Sequence, residues 1–296
     1  MPDVMQVTCL KAGLYTSIQD EGRMGVQDQG IPFSGALDKS SMHIANQLVG
    51  NPLNSPVLEM TMFGPILSFE NSGQIAITGA NMKATLNGVS IESYKTIDIE
   101  KGDRLEFHDT VFGCRTYLAI GGEWLVPQWL GSYSALPSLI ESKVLPSKIK
   151  DGYTFRINTG ERIAPSRIPV NQQPIYSECY IIRVVTGPEF SQFDIDVIQS
   201  FFEQIFIVDA DSNRMGYRLK GVLSNYKSSG EEISSGITIG TVQLNNAGSP
   251  IILMADAQTT GGYPRIANVV TEDLEIVAQM KPKDELKFML ISLEGL

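Results

Sequence analysis

A chain of 296 residues, 43% hydrophobic and 19% charged, is long enough for two domains or one large β domain and too apolar to be disordered. A formal net charge of -10 sets it against nucleic acid and anionic membrane as general partners, leaving room for a local basic pocket. No apolar run approaches the roughly 20 residues of a membrane span. The opening MPDVMQVTCLKAG lacks signal-peptide features, and three scattered cysteines (Cys9, Cys114, Cys179) read as reduced thiols of a soluble cytoplasmic protein, not as a metal site.

The first distinctive segment is SIQDEGRMGVQDQGIPFSGALD (17–38), which sets Gln19, Asp20, Arg23, Ser34 and Asp38 among glycines. Glycine lets backbone turn sharply or approach a ligand, and arginine offers a planar fork for carboxylate or phosphate. An Asp20–Arg23 turn pair or a domain-interface ion pair is the alternative. Asp38 then suits the N-cap of a helix running to Val49, with Leu37, Ser41, Ile44, Ala45 and Leu48 on one stripe and Gly50 closing it.

Short β-branched runs follow: PILSF, QIAITGA, TIDIE, DRLEF and RTYLAI. Their length and flanking turn residues predict strands. LAIGGEWLVPQWLGSYS places Gly121, Gly122, Gly131 and Ser132 beside Trp124 and Trp129, either as a binding corner or as ordinary packing. The stretch 162–177 holds three prolines and reads as a linker. Beyond it come the strand YIIRVV, a helix beginning near Pro188, and the strands QIFIVD, TVQL, PIILMAD and LKFMLI. Thr271 is set to cap a last helix, with Glu272 and Asp273 in its first turn and Pro282 past its end.

Two polar clusters lie in this half. In DADSNRMGYRL, Arg214 and Arg218 would share a face if the stretch were a strand, and could hold an oxyanion or pair with carboxylates. In ADAQTTGGYPRIANVV, Asp256 and Gln258 follow an apolar strand, and Thr259, Thr260, Gly261 and Gly262 supply hydroxyls and flexible N–H groups beside Tyr263. A wide hairpin would use the same glycines. Familiar phosphate-loop, dinucleotide, zinc-protease and serine-elbow motifs are absent, and His43 and His108 are the only imidazoles for a triad.

Three anchors recur in the same order. Arg23-Met24-Gly25 matches Arg214-Met215-Gly216, residues 63–78 match 239–254, and KGDRLEF (101–107) matches PKDELKF (282–288). This predicts a mainly β protein with a few helices, built from two related halves at 1–165 and 175–296. Arg218 and the Thr-Thr-Gly-Gly-Tyr loop have no counterpart among the anchors of the first half.

The stretches IQDEGRMGVQDQGIPFSGALD, IANQLVGN, LEMTMFGP, GCRTYLAIGGEWLVPQWLGS, VVTGPE, SNRMGYRL and DAQTTGGYPRIANV together resemble one family over nearly the whole chain. It is the family of the C-type subunit of the bacterial ATP-dependent 5-oxoprolinase, also called allophanate hydrolase subunit 2 or carboxyltransferase domain subfamily 2. The family includes the antagonist of the Kip histidine-kinase inhibitor. The resemblance implies two cyclophilin-like β-barrel subdomains. It also implies a B-type partner subunit (allophanate hydrolase subunit 1-like) and an A-type lactam-hydrolase subunit, which together open 5-oxoproline to glutamate with ATP and Mg at the level of the complex. No Met-Lys-Met motif for attaching biotin occurs in the chain.

Carried over residue by residue, the motifs put forward Arg214, Arg218 and Asp256 as catalytic, the arginines as clamps for an oxyanion or phosphate and Asp256 as proton acceptor or orienter. Arg23, Asp38, Gln258, Thr259, Gly261, Gly262 and Tyr263 are put forward as substrate-binding, and no metal ligands are. The region 133–150 departs from the family by lacking a glycine-rich stretch after Leu-Gly-Ser. Rival functions are a carboxyltransferase component of a biotin-dependent urea or amide carboxylase, and a non-enzymatic antagonist of a histidine-kinase inhibitor.

Overall fold

The computed structural model describes residues 4–136, 146–228 and 233–292. The chain divides into two units, one of Met1–Arg23 with Ser34–Tyr176, the other of Met24–Phe33 with Ser177–Leu296. Both are mainly β, and three α-helices occur among the described residues. None of the helices is long and apolar enough to cross a membrane.

The first unit carries β1 (Val4–Lys11), β2 (Tyr15–Gln19), α1 (Lys39–Leu48), β3 (Val57–Thr61), β4 (Ile66–Phe69), β5 (Gly73–Gly79), β6 (Thr85–Leu86), β7 (Val89–Ser90), β8 (Thr96–Ile99), β9 (Arg104–Glu106), β10 (Arg115–Ile120), β11 (Glu123–Trp124) and β12 (Thr154–Asn158). They form a seven-stranded sheet, β11-β12-β1-β4-β9-β6-β7, and a five-stranded sheet, β2-β3-β10-β5-β8. Alternate residues of both sheets meet in one core: Met5 and Val7, Leu58 and Met60, Ile75 and Ile77, Leu118 and Ile120, Phe155 and Ile157. The period of two puts them on the inner faces, and each fully buried side chain contributes about 1.5–3 kcal/mol.

On the outer face of the five-stranded sheet the register brings Val57, Ala76, Tyr117 and Ala119 under Met42, Ala45 and Leu48 of α1. The helix begins where extended Asp38 accepts a hydrogen bond from the Ser41 N–H at 2.9 Å. It ends at Val49, followed by Gly50 at φ +73. Replacing Asp38 would remove that cap.

The second unit carries β13 (Cys179–Thr186), α2 (Ile195–Glu203), β14 (Phe206–Val208), β15 (Gly216–Lys220), β16 (Ser235–Gly236), β17 (Thr241–Leu244), β18 (Pro250–Leu253), β19 (Thr260–Gly261), β20 (Arg265–Val269), α3 (Thr271–Gln279) and β21 (Glu285–Leu290). Seven of the strands close a barrel in the order β13-β20-β17-β18-β15-β14-β21, sealed by the parallel pairing of β13 with β21. Phe201 of α2 stacks on Phe288 of β21, ring centroids 4.5 Å apart, and Phe206 lies 5.6 Å from Phe288.

Both later helices differ in detail from the sequence expectation. Pro188 leads into a 3-10 turn at Phe190–Gln192, Phe193 is extended, and α2 starts only after Asp194. Thr271 is the first helical residue, and Val270 occupies the cap position. The proline-rich stretch is no loose spacer as far as Ile168. The Ile163 N–H donates to Gln74 Oε1, the Ser166 N–H to Thr96 Oγ1 and the Ile168 N–H to the Tyr94 carbonyl, because its extended backbone can pair along the first unit.

Of the repeated anchors, the last is matched in detail. The Asp103 N–H donates to the Glu100 carbonyl at 3.1 Å, and its carboxylate accepts from the Glu100 N–H at 2.8 Å. Asp284 does the same with Lys281, at 3.1 and 2.9 Å. Gly102 and Lys283 before them have φ of +89 and +80. The middle anchor differs in pairing: β17 and β18 are hydrogen-bonded neighbours, whereas β4 and β5 belong to different sheets.

Candidate functional site

The polar residues of the N-terminal cluster fold inward. Asp20 is a hub whose carboxylate accepts from the Gly22 N–H (2.9 Å), the Ser132 hydroxyl (2.6 Å), the Tyr133 N–H (2.7 Å) and the Ser134 hydroxyl. Arg23 is fully buried, with its guanidinium carbon 5.3 Å over the Trp129 ring, and donates to the carbonyls of Trp129 and Ser134. The family motif at 19–23 is therefore locked to the motif at 129–134. Of the region 133–150, residues 137–145 lie outside the described residues.

Asp38 is spent on local structure, accepting from the N–H and hydroxyl of Ser41, while its own N–H donates to the Tyr117 hydroxyl at 2.8 Å. That hydroxyl donates to Glu59 Oε2 at 2.9 Å, the Leu37 N–H donates to the same oxygen, and Arg115 Nε lies 3.5 Å from Glu59 Oε1. Burial, with Glu59 nearby, pushes the Tyr117 phenol well above its ordinary value, so it stays protonated. Sequence reasoning missed Glu59 and Arg115: the first lies in a stretch not read as a strand, the second in RTYLAI, read only for its apolar residues.

In the second unit the structure brings Arg214 and Asp256 together. Arg214 Nε donates to Asp256 Oδ2 at 2.9 Å and Nη2 to Oδ1 at 3.0 Å, with both side chains 5% exposed. The Asp256 N–H also donates to the Arg214 carbonyl, tying the turn before β15 to the end of β18. Both carboxylate oxygens of Asp256 are thus occupied by the Arg214 guanidinium. Arg218 does not share a strand face with Arg214. It lies on β15, whose Tyr217 and Leu219 point inward, and its side chain is exposed.

The loop after Asp256 leads into a two-stranded ribbon, Ser235 facing Gly261 and Gly236 facing Thr260. The Thr259 carbonyl accepts from the Ile237 N–H, and Tyr263, 36% exposed, accepts at its carbonyl from Gln243 Nε2. Gly261 is close-packed, since a Cβ there would sit 2.9 Å from Gln243 Nε2. Gln258 is exposed and Gly262 half-buried.

Part of the segment read as a binding corner or as ordinary packing, Gly121, Gly122 and Trp124, borders a concavity of the first unit. The C-terminal end of α1, the Gly121–Trp124 turn and residues 159–163 enclose a cleft of about 650 Å³. Its wall is stiff. Asn51 accepts from the Gly122 N–H at 2.9 Å and donates to the Ile120 carbonyl, while Gln74 binds both the N–H and the carbonyl of Ile163. Gly122, at φ +125, leaves no room for a side chain, because a Cβ would fall 2.4 Å from the Asn158 carbonyl. The Gly-Gly-Glu-Trp run was the available signal.

The family model described as carboxyltransferase domain, subdomain A and B, matches residues 29–290. The chain belongs to that family. It is 36% identical over 285 residues to the C-type subunit of 5-oxoprolinase from Escherichia coli (strain K12), covering 96% of this chain and 91% of the relative. It is 32% identical over 313 residues to the urea amidolyase of Saccharomyces cerevisiae, of which it spans 17%. Among solved structures, the urea amidolyase of K. lactis superposes with a TM-score of 0.88 at 30% identity, over 97% of this chain and 19% of that one.

In this family member two of the three thiols are held in their protonated form by their surroundings. Burial, then the nearby Asp151, pushes the Cys9 thiol up to about 11, and a hydrogen bond to Glu285 raises that of exposed Cys179. His43 is in contact with Glu21, which also pairs with Lys39 at 2.9 Å. The functional groups on offer are thus arginines, carboxylates, amides and backbone N–H groups.

Proposed function

We propose that the chain is the C-type subunit of a cytoplasmic ATP-dependent 5-oxoprolinase, acting with a B-type partner and an A-type lactam-hydrolase subunit to open 5-oxoproline to glutamate. One observation carries the reading: the similarity to the E. coli 5-oxoprolinase component spans nearly all of both chains, whereas the urea amidolyases contain this region as a sixth or so of their length. A lactam carbonyl is poorly electrophilic, so its opening calls for charge stabilisation more than for a protein nucleophile. The chain's chemistry suits that demand.

ATP with Mg, when bound in the complex, supplies activation of the amide. The cleft of the first unit does not fit a triphosphate. Its charged lining residues, among those described, are Glu123, Glu161 and Arg162, and Arg162 already pairs with Glu100 at 3.0 Å. The nucleotide of the proposed complex therefore binds outside this cleft. Arg214 and Asp256 act here as one unit that holds the loop bearing Gln258, Thr259, Gly261, Gly262 and Tyr263, while exposed Arg218 and buried Arg23 and Asp38 contribute binding and framework respectively.

The second reading is a carboxyltransferase component acting on urea or a related amide, favoured by the structural match to urea amidolyase. Purifying the chain with the products of its neighbouring reading frames and supplying either 5-oxoproline with ATP, or urea with ATP, bicarbonate and a biotin carrier, separates the two. Glutamate formation supports the first, and carboxylated urea the second.

A further inference from the structure

The motif VVTGPE (184–189) runs off β13 against the strand that follows the Thr-Thr-Gly-Gly-Tyr loop. Gly187 makes the approach possible. Its N–H donates to the Ile266 carbonyl at 3.0 Å, and a Cβ on it would fall 2.2 Å from the Arg265 carbonyl. Two residues on, Glu189 grips Arg265. Its Oε2 accepts from the Arg265 N–H at 3.0 Å and from Nε at 2.8 Å, its Oε1 pairs with Nη2, and the two side chains are 16% and 17% exposed. Nη1 donates to the Gly236 carbonyl at 3.0 Å. One arginine thus joins the end of β13, the start of β20 and the ribbon strand β16.

Asp256 stands immediately before residues 257–264 and Arg265 immediately after them. The loop is therefore bracketed by two carboxylate–guanidinium pairs, each made through two hydrogen bonds: Arg214 with Asp256 at its start and Glu189 with Arg265 at its end. Between them Thr260 and Gly261 pair with Gly236 and Ser235, and Gln243 Nε2 donates to the Tyr263 carbonyl. Gln258, Thr260 and Tyr263 are nonetheless exposed. A loop with two adjacent glycines is costly to order, and a ligand that must order it loses that free energy from its own binding. Fixing both ends in advance removes the cost. Each guanidinium nitrogen of Arg265 already has a protein acceptor, so this residue serves the loop and not a ligand.

We infer that Glu189 and Arg265 are positioning residues: their clasp holds residues 257–264 in the conformation that presents Gln258, Thr260 and Tyr263 to the amide substrate of the assembled complex. The inference rests on the proposed function for the nature of that substrate, and it gives the loop a second support beside Arg214 and Asp256. The barrel contains its own control. At the other end of β20, Asp273 grips Arg183 in the same manner, accepting from its N–H at 2.7 Å and from its guanidinium at 3.1 and 2.6 Å, but there the pair joins α3 to β13.

In the full chain, Glu189→Ala should speed amide hydrogen exchange in peptides covering 257–264, while barrel peptides covering 216–220 and 241–244 stay as protected as in the parent. In the complex reconstituted with its partner subunits, the same variant should raise KM for 5-oxoproline about tenfold and hold kcat within about twofold, because ordering the loop then falls on the substrate. Glu189→Gln, which keeps an oxygen to accept from the Arg265 N–H, should recover part of that loss. Asp273→Asn should lower thermal stability and leave KM unchanged. Unchanged exchange at 257–264, an unchanged KM, or an equal rise in KM for Asp273→Asn would overturn the proposal. Opening of 5-oxoproline with a KM indifferent to Glu189→Ala removes the clasp and keeps the 5-oxoprolinase reading. A complex that ignores 5-oxoproline and shows the rise in KM for urea keeps the clasp and removes that reading.

Discussion

Arg214→Ala is the most informative single perturbation of the second unit. The arginine meets Asp256 side-on through two hydrogen bonds of 2.9 and 3.0 Å, and each partner is 5% exposed. Deleting the guanidinium strands a carboxylate in a place water does not reach, a change worth about 3–5 kcal/mol, compared with a total domain stability of about 5–15 kcal/mol. The loss should appear at the ends of β15 and β18, which the pair joins. Amide hydrogen exchange followed by mass spectrometry reads this directly: peptides covering 216–220 and 250–256 should exchange much faster in the variant. Adding Asp256→Leu should restore part of the protection, since the stranded charge is then gone. Protection within about 1 kcal/mol of the parent, as for an exposed ion pair, would refute the assignment of Arg214 and Asp256 to one buried unit.

Other consequences follow from the same physics. Asp284→Ala should cost about 1–3 kcal/mol in thermal denaturation and Asp103→Ala about 1 kcal/mol, because the two make the same turn bonds but Asp284 is buried and holds the charged Lys281 Nζ at 2.7 Å, whereas Asp103 is more exposed and holds the neutral Asn87 Nδ2 at 2.7 Å. The Arg265 hydrogen bond holds Glu189 below its ordinary value of 4.5, so its stabilisation is complete above that pH and is lost as pH falls through the lowered value. The stability gap between the parent and Glu189→Gln should accordingly be constant from neutral to mildly acid pH and shrink below about 4.5. A thiol reagent at neutral pH should modify Cys179 slowly and faster as pH rises, while buried Cys9 and Cys114 react only on denaturation.

What could be read in advance was local. PILSF, QIAITGA and RTYLAI show the alternation that becomes the core faces of β4, β5 and β10, and Asp38 announces α1 because capping is a contact over three residues. Strands β2 and β3 were harder, since Ser17, Gln19 and Glu59 sit at buried positions where apolar residues are the rule; their burial depends on partners such as Tyr117, far off in the chain. Reading Arg214 and Arg218 as one face assumed a strand beginning at Arg214. It begins at Gly216, and the true partner of Arg214 lies 42 residues further on. The cleft could not be read because its walls come from several separated stretches. Gly121 and Gly122 were visible as glycines, but not what they made room for.

The proposed role of this chain is that of the C-type component of a 5-oxoprolinase. Its most direct test is glutamate formation from 5-oxoproline and ATP by the reconstituted complex, measured with and without this chain. Turnover should collapse when the chain is omitted and return when it is added back. Turnover indifferent to the chain, or a complex that ignores 5-oxoproline and carboxylates urea, would contradict the claim.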